Sequence, residues 1–130
     1  MNGILLDTNT VIYYLQHQFP AEAMNFVDNL LDSADPCLSV ITEIELLCWK
    51  AATLQDIKLL QDFIDDSTVI ELEKSIKLKA IEIRRQHKIK LPDTIIAATA
   101  LTYNIPLITR NVVDFKDIAG IVLQNPWDYA

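Results

Sequence analysis

Apolar residues in this chain fall into two kinds of stretch. Short runs without internal alternation are separated by longer stretches with helical spacing. Residues 4–6 form the first short run and predict a strand that stops at Asp7. Thr8, Asn9 and Thr10 follow, and a short helix is expected over 10–16. Phe19-Pro20 opens a second helix, where Met24, Val27, Leu30 and Leu31 share one face and Asp35-Pro36 ends it. Residues 37–41 predict a second strand. Thr42 then starts a helix, with Thr42 and Glu45 spaced as a capping box. Leu54, Ile57, Leu60 and Ile64 mark another amphipathic helix, and residues 68–72 a third strand. Ile76, Ala80 and Ile83 keep the apolar period of the helix after it. Leu91-Pro92-Asp93 opens a helix rich in small residues that runs through Leu101 and ends near Asn104, a residue type that tolerates the left-handed region. Residues 107–109 and 121–123 are the fourth and fifth strands.

Apolar strands alternating with helices imply right-handed crossovers and a parallel sheet covered on both faces. The expected fold is α/β: a three-layer α/β/α arrangement with a central parallel sheet of four to five strands. A chain of 130 residues fits a single domain over 1–130, and no linker, repeat or low-complexity tract divides it. Asp7 interrupts the first apolar run and no basic region precedes it, so the run reads as a core strand rather than a signal peptide. The longest uncharged stretch, 94–109, contains Asn104 and Pro106 and is too short and polar to span a bilayer. Cys37 and Cys48 both stand among apolar residues and read as buried thiols of a reducing, cytoplasmic protein; no CxxC suggests zinc.

The net charge of −7 is unevenly spread. Seven of the eleven basic residues lie between Lys74 and Lys90, opposed only by Glu82, so this segment carries about +6. A basic helix face is often merely solvated. On an otherwise acidic chain it is also a candidate footprint for a polyanion, with Lys74, Lys77, Arg84, Arg85 and Lys88 as backbone contacts and Arg110 as a further one.

In parallel sheets, sites form outside the carboxyl ends of the strands. Asp7 follows strand one directly, Glu43 and Glu45 follow strand two, and Asp114 follows strand four within T-R-N-V-V-D-F. Asp93 opens the helix that feeds strand four, and that helix end faces the same edge. Each acid alone has an ordinary explanation: a helix cap for Asp7, a capping-box partner for Glu45, a helix start for Asp93, a loop acid for Asp114. Together, four carboxylates on one edge repel one another and call for a cation. All-oxygen donors favour Mg²⁺ or Mn²⁺, which would lower the pKa of a bound water and offset charge on a phosphodiester. No Cys–His or Ser–His pair competes, His17 and His87 have no evident partner, and no nucleotide-binding glycine loop occurs.

The blocks L-L-D-T-N-T-V-I-Y-Y-L, S-V-I-T-E-I-E-L-L, K-L-P-D-T-I-I-A-A-T-A-L and L-I-T-R-N-V-V-D-F, in this order, resemble the PIN-domain nucleases, and most closely the VapC-type toxins of toxin–antitoxin pairs. The resemblance covers nearly the whole chain. It implies a PIN-like fold and a metal-dependent endoribonuclease with Asp7, Glu45, Asp93 and Asp114 as the acids. Asp7, Asp93 and Asp114 would hold the metal, and Glu45, rather than Glu43, would orient the attacking water. Thr8, Asn9, Thr109 and Asn111 fall where the family places supporting hydrogen bonds. The resemblance also implies an RNA substrate, a cognate antitoxin and a homodimer. The chain departs from the pattern in lacking a glycine soon after Glu45 and in having Asn104 where glycine is frequent.

Two other readings compete. D-T-N-T resembles the D-x-D-x-T motif of haloacid-dehalogenase-type phosphatases, but Asn9 stands where the general acid belongs. A non-enzymatic reading is a silent PIN-like module that binds RNA or a partner. A receiver-like domain fits poorly, because Leu123-Gln124-Asn125 offers no lysine.

Overall fold

Gly3, Ile4, Leu5 and Leu6 are all buried because they form the middle strand of the sheet, β1 (Gly3–Leu6). The computed structural model describes residues 2–129. The other strands are β2 (Asp35–Ser39), β3 (Thr68–Ile70), β4 (Leu107–Ile108) and β5 (Leu123–Gln124). Their order is β3-β2-β1-β4-β5, and every neighbouring pair is parallel.

The strands read as unbroken apolar runs because both faces are covered. Leu5, Cys37 and Leu107 face a core completed by α5 (Lys74–Gln86), α6 (Leu91–Tyr103) and α7 (Val112–Phe115), through Ile76, Ala80, Ile83, Ile96 and Phe115. Ile4, Leu6, Leu38 and Ile108 face the other side. There they meet Val11 of α1 (Thr8–Leu15), Leu46 of α3 (Val40–Leu47) and Leu60 and Ile64 of α4 (Leu54–Asp65). The result is the three-layer α/β/α fold expected from the sequence. A third cluster joins Phe19, which precedes α2 (Ala21–Ser33), and Ala23 and Val27 within that helix to Trp127 in a closing 3-10 helix (Pro126–Tyr129). No helix among the described residues is long and apolar enough to cross a membrane.

Several local expectations are corrected. The second strand ends at Ser39 rather than Ile41. The Ser39 hydroxyl accepts the N–H of Ile41 and caps α3, so Val40 and Ile41 are helical and Thr42 is not the cap. The capping box lies instead at Thr53 and Asp56, before α4. Pro36 belongs to β2, where it precedes the pairing with β3 that starts at Cys37, so its missing N–H breaks no ladder on that side. Helix α1 begins at Thr8 because Asp7 caps it. β3 stops at Ile70, β5 begins only at Leu123, and Asp114 lies in α7 rather than in a loop. Leu54, at the first position of α4, is 91% exposed and leaves the expected stripe. Cys37 is buried, but Cys48 at the end of α3 is exposed. Asn104 does adopt the left-handed conformation, with φ of 53°, and closes α6.

Candidate functional site

The carboxyl ends of β1 and β4 are adjacent strand ends, and side chains from both meet at Asp7. Asp7 is only 9% exposed. Its Oδ1 accepts the backbone N–H of Thr10 at 2.9 Å, which makes it the cap of α1. Its Oδ2 accepts the hydroxyl of Thr109. The Thr109 hydroxyl also receives the N–H of Asn111, at 3.0 Å, and Asn111 Nδ2 donates to Oδ2 of Asp114 at 2.8 Å. One chain of hydrogen bonds therefore connects the first acid to the fourth.

Glu45 is held separately. The Thr8 hydroxyl donates to its Oε1 at 2.6 Å and lies 3.3 Å from the hydroxyl of the buried Thr42. Glu45 lies two turns into α3 from its cap at Ser39, and that placement brings it over the start of α1. Asp93, in the first turn of α6, makes no hydrogen bond among the described residues.

Asp7, Thr8, Asn9, Glu45, Asp93, Asn111 and the apolar Ile96 line one cavity of about 130 Å³. Three of the four acids thus share a wall, and Asp114 adjoins it through Asn111. Glu43 does not line it. Burial pushes the Asp7 carboxyl up from its ordinary value, against the hydrogen bonds from Thr10 and Thr109; the Glu45 charge adds to the rise. Asp93 is also raised, first by burial and then by repulsion from Asp114, Glu45 and Asp7, with Lys90 opposing. Apart from this longer-range effect of Lys90, none of these carboxylates forms an ion pair among the described residues. The ion pairs among the described residues are Lys58–Asp62 and Lys79–Glu82, both on the surface. Nor do three Asp, Glu, His or Cys side chains among the described residues stand close enough to hold a metal ion by themselves.

The basic candidates divide. Lys77, Arg84 and Arg85 rim a groove of about 470 Å³ between α5 and α6, with an apolar floor that includes Ala80, Ile81 and Ile95. That groove is larger than the acidic cavity and reaches Leu91 and Ile95, next to Asp93 and Ile96 on α6. Arg110 lines a second cavity of about 200 Å³ with Asp7, Asn9, Tyr13 and Asn111. Lys74 and Lys88 are exposed and line neither.

Three residues not singled out from the sequence belong to the site's surroundings. Lys90, three residues before Asp93, is the cation that acts on it. Tyr13 lines the second cavity, and Trp127 lies beneath Arg110. Lys90 was legible as the nearest positive charge in sequence. Trp127 carried no signal, because 17 positions separate it from the residue it touches.

The sequence matches the PIN domain family over residues 4–121. Solved structures are similar to it along nearly their full length. DNA-bound VapBC from Salmonella typhimurium is 25% identical, covers 97% of this chain and 99% of its own, and superposes with a TM-score of 0.81. VapBC-1 from nontypeable Haemophilus influenzae is 27% identical over 95% and 98%, with a TM-score of 0.79. A toxin–antitoxin complex from Klebsiella pneumoniae is 28% identical over 95% and 98%, with a TM-score of 0.74. Among curated proteins, none matches this chain.

Proposed function

This chain belongs to the PIN-domain family, and from that premise we propose that it is a divalent-metal-dependent endoribonuclease, the VapC-type toxin of a toxin–antitoxin pair. The observation that carries this reading is the charge balance of the cavity. Three carboxylates from separate parts of the chain, Asp7, Glu45 and Asp93, line it and Asp114 adjoins it through Asn111; two of the four have raised pKa values, and none forms an ion pair among the described residues. Such a cluster is costly unless something positive occupies it. The donors are all oxygen, which suits Mg²⁺ or Mn²⁺. No three Asp, Glu, His or Cys side chains among the described residues stand within reach of one ion, so the carboxylates would have to draw together around it.

Asp7, Asp93 and Asp114 would hold the ion. When bound, it would supply neutralising charge to the scissile phosphodiester and acidify water. The chain's own groups do the rest. Thr10 and Thr109 fix the Asp7 carboxylate, and Asn111 fixes Asp114. Glu45, aimed by Thr8 and exposed to solvent, accepts a proton from the attacking water. The basic rim of the α5–α6 groove, Lys77, Arg84 and Arg85, follows the RNA backbone away from the cavity.

The solved relatives are toxin–antitoxin complexes, which supports an antitoxin as partner. A basic antitoxin side chain entering the cavity would compensate the carboxylates just as a metal does. A homodimer would draw on apolar surface left exposed outside the α5–α6 groove, such as Leu78.

The phosphatase reading falls with the family match, and Asp7 is buried at a helix cap with both oxygens engaged, not presented as a nucleophile. A silent PIN-like binding module keeps one observation in its favour, the lack of a ready three-ligand group among the described residues. The purified chain, stripped of antitoxin, separates the two. With Mg²⁺ or Mn²⁺ it should cut structured RNA internally, EDTA should stop it, and Asp7→Asn should be inactive yet folded. Equal cutting in EDTA, or none with either metal, overturns the nuclease reading.

A further inference from the structure

Arg110 is exposed at the edge of the site, in the same cavity wall as Asp7, yet it pairs with no carboxylate among the described residues. Its guanidinium carbon instead lies 4.2 Å from the centroid of the Trp127 ring. That ring is itself wedged, 5.0 Å from Tyr13 and 4.7 Å from Phe19 by centroid, in the cluster built on Ala23 and Val27. The stack holds the guanidinium on Trp127, and Arg110 forms no ion pair with Asp7 or the other acids among the described residues. Stacking uses the flat face of the guanidinium and leaves its in-plane N–H groups to donate outward. None of those groups has an acceptor in the protein among the described residues. Asn9 and the Tyr13 hydroxyl, in the same cavity, likewise make no hydrogen bond there.

This cavity adjoins the acidic one: Asp7, Asn9 and Asn111 line both. An acidic pocket that is to receive metal and phosphate thus adjoins a pocket of about 200 Å³ with unused donors and one immobilised cation. We propose that the Asn9–Tyr13–Arg110 cavity is a subsite for the RNA phosphate next to the scissile one, with Arg110 as its donor. Trp127 is then a positioning residue that holds Arg110 out of the carboxylates and aimed at the strand. The proposal rests on reading the acidic cavity as the site of RNA cleavage.

The test is binding of a fluorescein-labelled single-stranded oligoribonucleotide of mixed sequence to the full chain, in EDTA, across a range of salt. Removing one phosphate contact lowers the slope of log affinity against log salt by about 0.7 for a single strand, and weakens binding about uniformly across sequences. Arg110→Gln should show both changes. Lys50→Gln, which removes one exposed charge elsewhere, should show neither. Trp127→Leu should reproduce part of the Arg110→Gln loss, Trp127→Phe should restore it, and the double variant should bind no worse than Arg110→Gln alone. A wild-type slope for Arg110→Gln overturns the proposal, as does full addition of the two losses, which would make Trp127 structural only. A wild-type chain that fails to bind the oligonucleotide at low salt also overturns it. Cleavage in a parallel arm with Mg²⁺ is read separately. An uncut substrate with a lowered Arg110→Gln slope would remove the nuclease reading and leave the subsite as a binding site.

Discussion

The hydroxyl of Thr109 donates to Oδ2 of Asp7, 102 residues earlier in the chain, and receives the backbone N–H of Asn111. Each residue directly follows one of two neighbouring parallel strands, and both are buried. The bond therefore locks the first acid to the segment that carries the fourth. Thr109→Val keeps the shape and removes the hydroxyl, leaving a buried carboxylate oxygen without a donor. Urea unfolding should show a loss of about 1–3 kcal/mol. Thr109→Ser should recover most of it, together with RNA cleavage. A valine variant as stable as the wild type would mean that the bond contributes nothing.

The raised Asp93 carboxyl gives a pH dependence with a definite sign. In the fold it holds its proton above the ordinary value of 3.8, so across that window the native state binds more protons than the unfolded chain. Metal-free stability should fall as pH rises from near 3.8 through the raised value, and Asp7 acts in the same direction. Asp93→Asn should flatten this part of the profile and raise the Tm at pH 7 in EDTA. Identical profiles for variant and wild type would show that the carboxylates do not strain the fold.

Thr8 aims Glu45, so the two should behave as one unit in kinetics. Glu45→Gln should lower the cleavage rate about 10²- to 10⁴-fold if it accepts the proton. Thr8→Val should cause a smaller loss in the same step, with the double variant no slower than Glu45→Gln. Both positions have some solvent exposure, so Tm should hardly move. Multiplying losses would mean that Thr8 acts elsewhere.

Much of this architecture was legible because its signals are local. Residues 4–6 form an unbroken apolar run because β1 is covered on both faces, and Asn104 ends α6 through its own left-handed backbone. The acids could be grouped because strand ends and helix starts share one sheet edge. The segment at 39–42 could not be read, since Ser39 and Thr42 are both capping residues and Val40-Ile41 between them fits strand and helix alike. Thr8, Thr109 and Asn111 were expected as supports, but their particular partners depend on contacts spanning the fold. Trp127 was invisible for that reason: only the return of the 3-10 helix to α1 and α2 puts it under Arg110.

Calorimetric titration of Mg²⁺ into the antitoxin-free chain, beside Asp93→Ala, tests most directly whether these four acids are a cation site. Saturable binding to the wild type that is lost or strongly weakened in Asp93→Ala is the predicted result. Identical titrations for the two proteins would contradict it.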